Sequence, residues 1–122
     1  MLNVKKTLTK ILDMLTVKDI TPGTVAGFIT VNSGFTVSNV SVKRYGRLAS
    51  INFTVSKSTQ MPTGATQTIG TLKSEFRPIV NSGGASATFR ELVGTDGRVY
   101  VRPATDVAAG SGEAFTITYL LA

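Results

Sequence analysis

The chain has 122 residues, enough for one domain with a sizeable core, and its 42% apolar content is that of a folded protein. It contains no Cys and no His. That excludes disulfides, thiolate and zinc-thiolate chemistry, Ser-His-Asp and Cys-His catalysis, and histidine-ligated metals. Seven Lys and six Arg against seven carboxylates leave a formal charge of +6, a balance that suits anionic partners in general.

The opening segment is amphipathic. Val4, Leu8, Ile11 and Leu15 follow the 4-3-4 spacing of a heptad seam, and Leu12 lies beside it. The spacing predicts a helix between Val4 and Lys18, stopped by Thr21-Pro22-Gly23, since Pro cannot continue the hydrogen-bond ladder. Lys5 and Lys6 stand at the end where the helix dipole prefers negative charge. A helix this short is marginal alone, so its apolar edge needs a partner. Either it folds back on its own sheet, or copies from several chains bundle. Leu at a and Ile at d favour three or more strands over two. A third reading, a basic helix lying on a membrane surface, lacks aromatic anchors. Residues 1–20 are thus expected to form an oligomerisation helix and residues 21–122 a separate domain.

That domain reads as strands. In Arg47 to Ser56, Ala49, Ile51, Phe53 and Val55 share one face, while Leu48, Ser50, Asn52 and Thr54 share the other. Phe115, Ile117, Tyr119 and Leu121 repeat the alternation, as do Val99 and Val101 against Arg98, Tyr100 and Arg102. Further strands are predicted near 24–31, 36–44, 67–72 and 85–93. Asp96-Gly97 predicts a type I′ hairpin, and Tyr45-Gly46, Asn32-Ser33-Gly34, Asn81-Ser82-Gly83-Gly84 and Gly110-Ser111-Gly112 mark other bends. About seven strands with turns at this spacing predict a mainly β fold: an antiparallel β-sandwich or jelly-roll-like head behind a short N-terminal helix.

Chemistry-bearing motifs are few. Gly110-Ser111-Gly112 is no dinucleotide fingerprint, because Phe115 stands where the third Gly belongs. Glu75, Glu91, Asp96, Asp106 and Glu113 show no spacing that pairs two of them across a sugar, as a glycosidase requires. No acidic run suits calcium. The expectation is therefore a non-enzyme with no metal and no cofactor. Arg98, Tyr100 and Arg102 on one strand face combine guanidinium forks with an aromatic plane, a set suited to phosphate or to a stacked sugar. Tyr45 and Arg47 offer a second such pair. Leu48 and Leu120 share parity with polar neighbours, which predicts that some outward faces are covered by another subunit.

The basic residues are dispersed beyond Lys5, Lys6 and Lys10, which argues against a nucleic-acid track. No apolar run reaches the roughly 20 residues that cross a bilayer, so no membrane insertion is expected. Thr9, Lys10 and Asp13 interrupt the opening where a secretory leader is continuous. The sequons Asn39-Val40-Ser41 and Asn52-Phe53-Thr54 are then read as coincidental.

Three stretches carry a resemblance. Lys6-Thr7-Leu8-Thr9-Lys10-Ile11-Leu12-Asp13 resembles the opening of small structural proteins from phages and prophages of Gram-positive bacteria. Ile69-Gly70-Thr71-Leu72-Lys73-Ser74-Glu75-Phe76-Arg77-Pro78 is a strand followed by a Phe-Arg-Pro bend. The third runs from Gly94-Thr95-Asp96-Gly97-Arg98-Val99-Tyr100-Val101 to Phe115-Thr116-Ile117-Thr118-Tyr119-Leu120. Their order is similar to the head domains of phage receptor-binding and tail-fibre proteins. The resemblance implies a homotrimeric virion protein, made in the bacterial host cytoplasm, that binds host cell-wall saccharide or other virion proteins. The family has no universal ligand motif, so no binding residue transfers by position.

Overall fold

The computed structural model describes residues 3–122, and of residues 12–15 the backbone alone. The predicted seam positions Leu12 and Leu15 therefore lie outside the described side chains. Helix α1 spans Val4–Leu15, and the Asn3 side chain caps it by accepting from the Lys6 amide at 3.1 Å. Val4, Leu8 and Ile11 are 45–59% exposed. The fold-back reading does not hold for these three side chains.

The helix is shorter than its spacing predicts. Thr16 is already extended, and β1 (Val17–Asp19) pairs antiparallel with β3 (Phe35–Tyr45). β-Branched Thr16 and Val17 favour the extended state, and Asp19 fixes the exit by accepting from the Thr21 amide and hydroxyl at 3.0 and 2.6 Å. Thr21 Oγ1 in turn accepts from the Val42 amide at 2.9 Å. The sandwich thus begins inside the segment read as helix.

The remaining strands are β2 (Ile29–Val31), β4 (Leu48–Lys57), β5 (Gln67–Leu72), β6 (Ser82–Ala85), β7 (Phe89–Val93), β8 (Arg98–Pro103) and β9 (Glu113–Leu120). They form two antiparallel sheets, ordered β1-β3-β4-β9 and β2-β5-β8-β7-β6. The sheets pack face to face as a β-sandwich, as the alternation predicts. Ala49, Ile51, Phe53 and Val55 face Phe115, Ile117, Tyr119 and Leu121 in adjacent rows of the core. Phe53 and Phe115 stack at 4.4 Å, and Phe28 meets Phe53 and Phe76 edge-on at 5.9 and 5.3 Å. Edge and offset contacts of this kind add about 0.5–1.5 kcal/mol per pair beyond area burial.

Four local expectations change. The strand expected from Thr24 starts only at Ile29, because Thr24 Oγ1 accepts from the Gly27 amide and winds Val25–Gly27 into a 3₁₀ turn. The strand expected over 85–93 is two strands, broken where Phe89 N donates to Ser86 Oγ and Ser86 N to Phe89 O. Ser82-Gly83-Gly84, read with Asn81 as a bend, belongs to β6 (Ser82–Ala85). A Cβ on Gly84 would lie 3.2 Å from both Glu91 Oε1 and Ile117 Cγ1, so a side chain there would require both neighbours to give way by a few tenths of an ångström.

At Asp96-Gly97 the type I′ expectation fails. Only Gly97 has positive φ, +87°, and its amide donates to Gly94 O at 2.9 Å. One left-handed residue after a tight turn is the pattern of a longer hairpin loop with a bulge, and not of the two-residue loop. The Phe-Arg-Pro bend anchors the end of β9. Tyr119 Oη donates to Phe76 O, and Ala122 N donates to Arg77 O at 3.0 Å. Burial pushes the Tyr119 phenol far above its usual pKa.

Candidate functional site: two opposite outer faces

The five-stranded sheet turns Arg98, Tyr100 and Arg102 outward along β8, as the period of two requires. β7 lies beside it in register. Arg90 stands opposite Arg102, and Leu92 opposite Tyr100. On the other side, Thr68 of β5 lies opposite Tyr100. Thr66, Arg90, Leu92, Tyr100 and Arg102 line a shallow groove of about 360 Å³. A second depression of about 340 Å³ begins across the two guanidiniums, bounded by Thr63, Gly64, Pro103 and Ala104. Arg90 and Arg102 therefore form the wall that the two depressions share.

The polar lip is held firmly. Asp106 Oδ1 accepts from the Thr63 amide and hydroxyl, both at 2.8 Å, and Gly64 N donates to Pro103 O at 2.9 Å. These bonds hold the Asp106 carboxyl below its usual pKa. Arg98 behaves differently from its neighbours. It pairs with Asp96 at 3.6 Å, and the hydrogen bond it donates to Tyr100, together with the Asp96 charge, raises its pKa. Both members of that pair are well exposed, so it adds little to stability.

The structure divides the sequence-predicted set between opposite sides of the sandwich. Tyr45 and Arg47 lie on the four-stranded sheet and its β3–β4 turn, away from Arg98, Tyr100 and Arg102. Arg47 is used internally: Nη2 donates to Leu121 O at 3.2 Å. Tyr45 belongs to an apolar row. Val17, Tyr45, Leu48 and Leu120 are successive cross-strand partners over all four strands. Ile79 extends the row beyond β9, where its amide donates to Leu120 O. All five side chains are 43–53% exposed. The neighbouring row, Asp19, Lys43, Ser50 and Thr118, is polar. Val17, Tyr45 and Leu48, with Lys43, Arg44, Ser50 and Thr118, border a depression of about 450 Å³.

Sequence reasoning missed Arg90 and Leu92, although the alternation Phe89-Arg90-Glu91-Leu92-Val93 marks them as outward once the strand is placed. It also left Glu91 unassigned. Glu91 points inward, only 4% exposed, and its Oε2 accepts from the Thr116 amide on the edge of β9 at 3.1 Å. Oε1 has no partner among the described residues. Burial pushes this carboxyl up to about 7. Glu91 thus ties β7 of the five-stranded sheet to β9, the edge strand of the other, and its side chain faces the interior.

Among the described residues, no three acidic side chains gather as a metal site, and no helix is long and apolar enough to cross a membrane. No protein-family model matches the chain, and no curated protein matches its sequence.

Proposed function

We propose that the chain is a non-enzymatic host-recognition module of a phage virion, acting as a homotrimer that binds cell-surface saccharide. The observation that carries the reading is the apolar row Val17–Tyr45–Leu48–Leu120–Ile79. Four half-exposed apolar side chains in register over a whole sheet, with Ile79 beyond the edge, form a patch that marks an interaction surface more than chance exposure does. The row starts one residue after α1, whose Val4, Leu8 and Ile11 are also uncovered. Copies meeting through both surfaces would cover each side chain for about 1 kcal/mol, and the Leu and Ile seam favours three or more copies over two.

The opposite sheet supplies the recognition face. Tyr100 and Leu92 give a sugar ring an apolar plane, and Arg90 and Arg102 give its substituents donors. Three such faces on one particle multiply a weak single contact through effective concentration. Solution mass and a cell-wall binding assay on the intact chain test both halves. A trimer that binds host cell walls is expected; a monomer without affinity for any cell-surface polymer defeats the proposal.

A second reading has its own support. The apolar row fits equally well against a different virion protein, which makes the chain a decoration or fibre-tip component without a saccharide ligand. A monomer in solution that becomes ordered only in an assembled particle, with its five-stranded sheet bare, favours that reading.

A further inference from the structure

We propose that Arg90 and Arg102 form an anion subsite that takes the charged group of an anionic saccharide, a phosphodiester or a carboxylate, between their guanidiniums. This rests on the saccharide-recognition reading above and adds to it the chemistry of the ligand.

The first ground is an uncompensated like-charge pair. Residues directly opposite on antiparallel strands approach closely, and two cations there oppose folding. Three other arginines of this chain are engaged, and Arg44 lies on β3 of the opposite sheet. Arg47 donates to Leu121 O, Arg77 Nε to Leu72 O at 3.1 Å, and Arg98 pairs with Asp96. Among the described residues, Arg90 and Arg102 have no carboxylate within ion-pair distance.

The second ground is where the nearby carboxylates went. Asp106 is committed to Thr63. Glu113 accepts from the Thr88 hydroxyl at 2.9 Å and from the Ser111 hydroxyl at 3.1 Å. Glu91, between Arg90 and Leu92 in sequence, faces the interior. Each acidic group that could neutralise the pair is held by a hydroxyl or an amide, or points the other way. The sheet surface keeps two fixed positive charges with no internal counter-ion.

The third ground is shape. The pair separates an apolar groove floored by Leu92 and Tyr100 from a polar depression at Thr63 and Gly64. A built Cβ on Gly64 would lie 3.8 Å from Arg102 Nη2, so the lip meets the guanidinium with backbone. A repeating polymer matches this profile: a ring on the apolar side, an anion at the wall, and hydroxyls on the polar side. A two-oxygen anion can accept from both forks at once, which a neutral hydroxyl cannot.

The test uses the full chain with Arg90→Gln, Arg102→Gln and, as a charge-matched control, Arg98→Gln. Binding is measured by calorimetry to poly(glycerol phosphate), to polygalacturonate, to neutral dextran and to a random single-stranded oligonucleotide. In parallel, inorganic phosphate is titrated while the Arg Nε–H resonances are followed by NMR. The expected result is roughly tenfold weaker binding to an anionic polymer for either of the first two variants. Arg98→Gln is expected to change it by less than about twofold. The preferred polymer tells phosphodiester from carboxylate. Phosphate should shift the Arg90 and Arg102 resonances and leave Arg98 in place.

Equal losses for all three variants would mean general charge attraction and overturn the subsite. Tight dextran binding that survives both substitutions, with no preference for an anionic polymer, overturns it while leaving saccharide recognition intact. Selective phosphate shifts with no polymer bound support the subsite and defeat the recognition reading. An oligonucleotide bound more tightly than either polysaccharide overturns the saccharide assignment.

Discussion

On the four-stranded sheet, the outward row from Val17 to Ile79 carries five apolar side chains over neighbouring rows of Ser, Thr and Lys. On the five-stranded sheet, the outward row carries Arg90, Arg98 and Arg102 around one tyrosine and one leucine. The inner faces of both sheets are alike, aliphatic and aromatic, because a sandwich core imposes the same demand on each. The outer faces are free of that demand. Their divergence fits the two proposed contacts: an apolar face for desolvation against protein, and a cationic face for a wet, charged partner.

The largest effect should come from breaking the apolar row. Leu48→Asp with Leu120→Asp puts two charges into any contact made there, and multi-angle light scattering should show the proposed trimer reduced to monomer. Leu92→Asp, an equally exposed leucine on the other sheet, should leave the mass unchanged. If Leu92→Asp dissociates the particle and the double variant does not, the two faces have been assigned the wrong way round.

Next comes the carboxyl that joins β7 to β9 behind the charged face. Folding raises the Glu91 pKa from 4.5 to about 7. Below pH 4.5 the group is protonated in both states, and its contribution is fully present. Between pH 4.5 and 7 the folded state alone holds the proton, so stability falls as pH rises, by roughly 3 kcal/mol at most. Glu91→Gln keeps an acceptor for the Thr116 amide and removes this dependence. Urea unfolding at pH 5 and pH 8 should show the variant gaining on the native chain at the higher pH; an identical pH slope in both refutes the linkage.

The two outward-facing tyrosines, Tyr45 and the half-buried Tyr100, sharpen the contrast further. Tyr100→Ala should weaken polymer binding by about 1–2 kcal/mol, the scale of a lost stacking contact, with no change in mass. Tyr45→Ala should loosen assembly and leave binding per subunit intact. The smallest effect is at the helix cap. Asn3→Ala removes the acceptor for the Lys6 amide and should cost about 1 kcal/mol, seen as lost helical circular dichroism while the sheet signal is retained.

Much of the sandwich was legible because strand periodicity is local. The alternation in 47–56 and 115–121 assigns inward and outward residues without knowledge of partners, and both assignments hold in the core. What was hidden depends on tertiary neighbours. Gly83-Gly84 looks like a turn until Glu91 and Ile117 are seen pressing on the space a side chain would need. The helix ends early because Val17 finds Tyr45 across a strand pair, which no local spacing encodes. Tyr45 and Tyr100 look interchangeable in a chain of residues, but sheet order sends them to opposite sides. Arg90 enters the groove only because β7 lies beside β8.

The single extended residue between α1 and β1, Thr16, has a mechanical consequence. One residue gives no slack, so a turn of the helix about its axis must drag the edge strand, and with it one end of the apolar row. In an assembly gathered through α1, the heads would be stiffly yoked and not free to swivel. Their outward faces would then point at fixed angles to the common axis, as suits grip on a flat lattice better than capture of a loose coil.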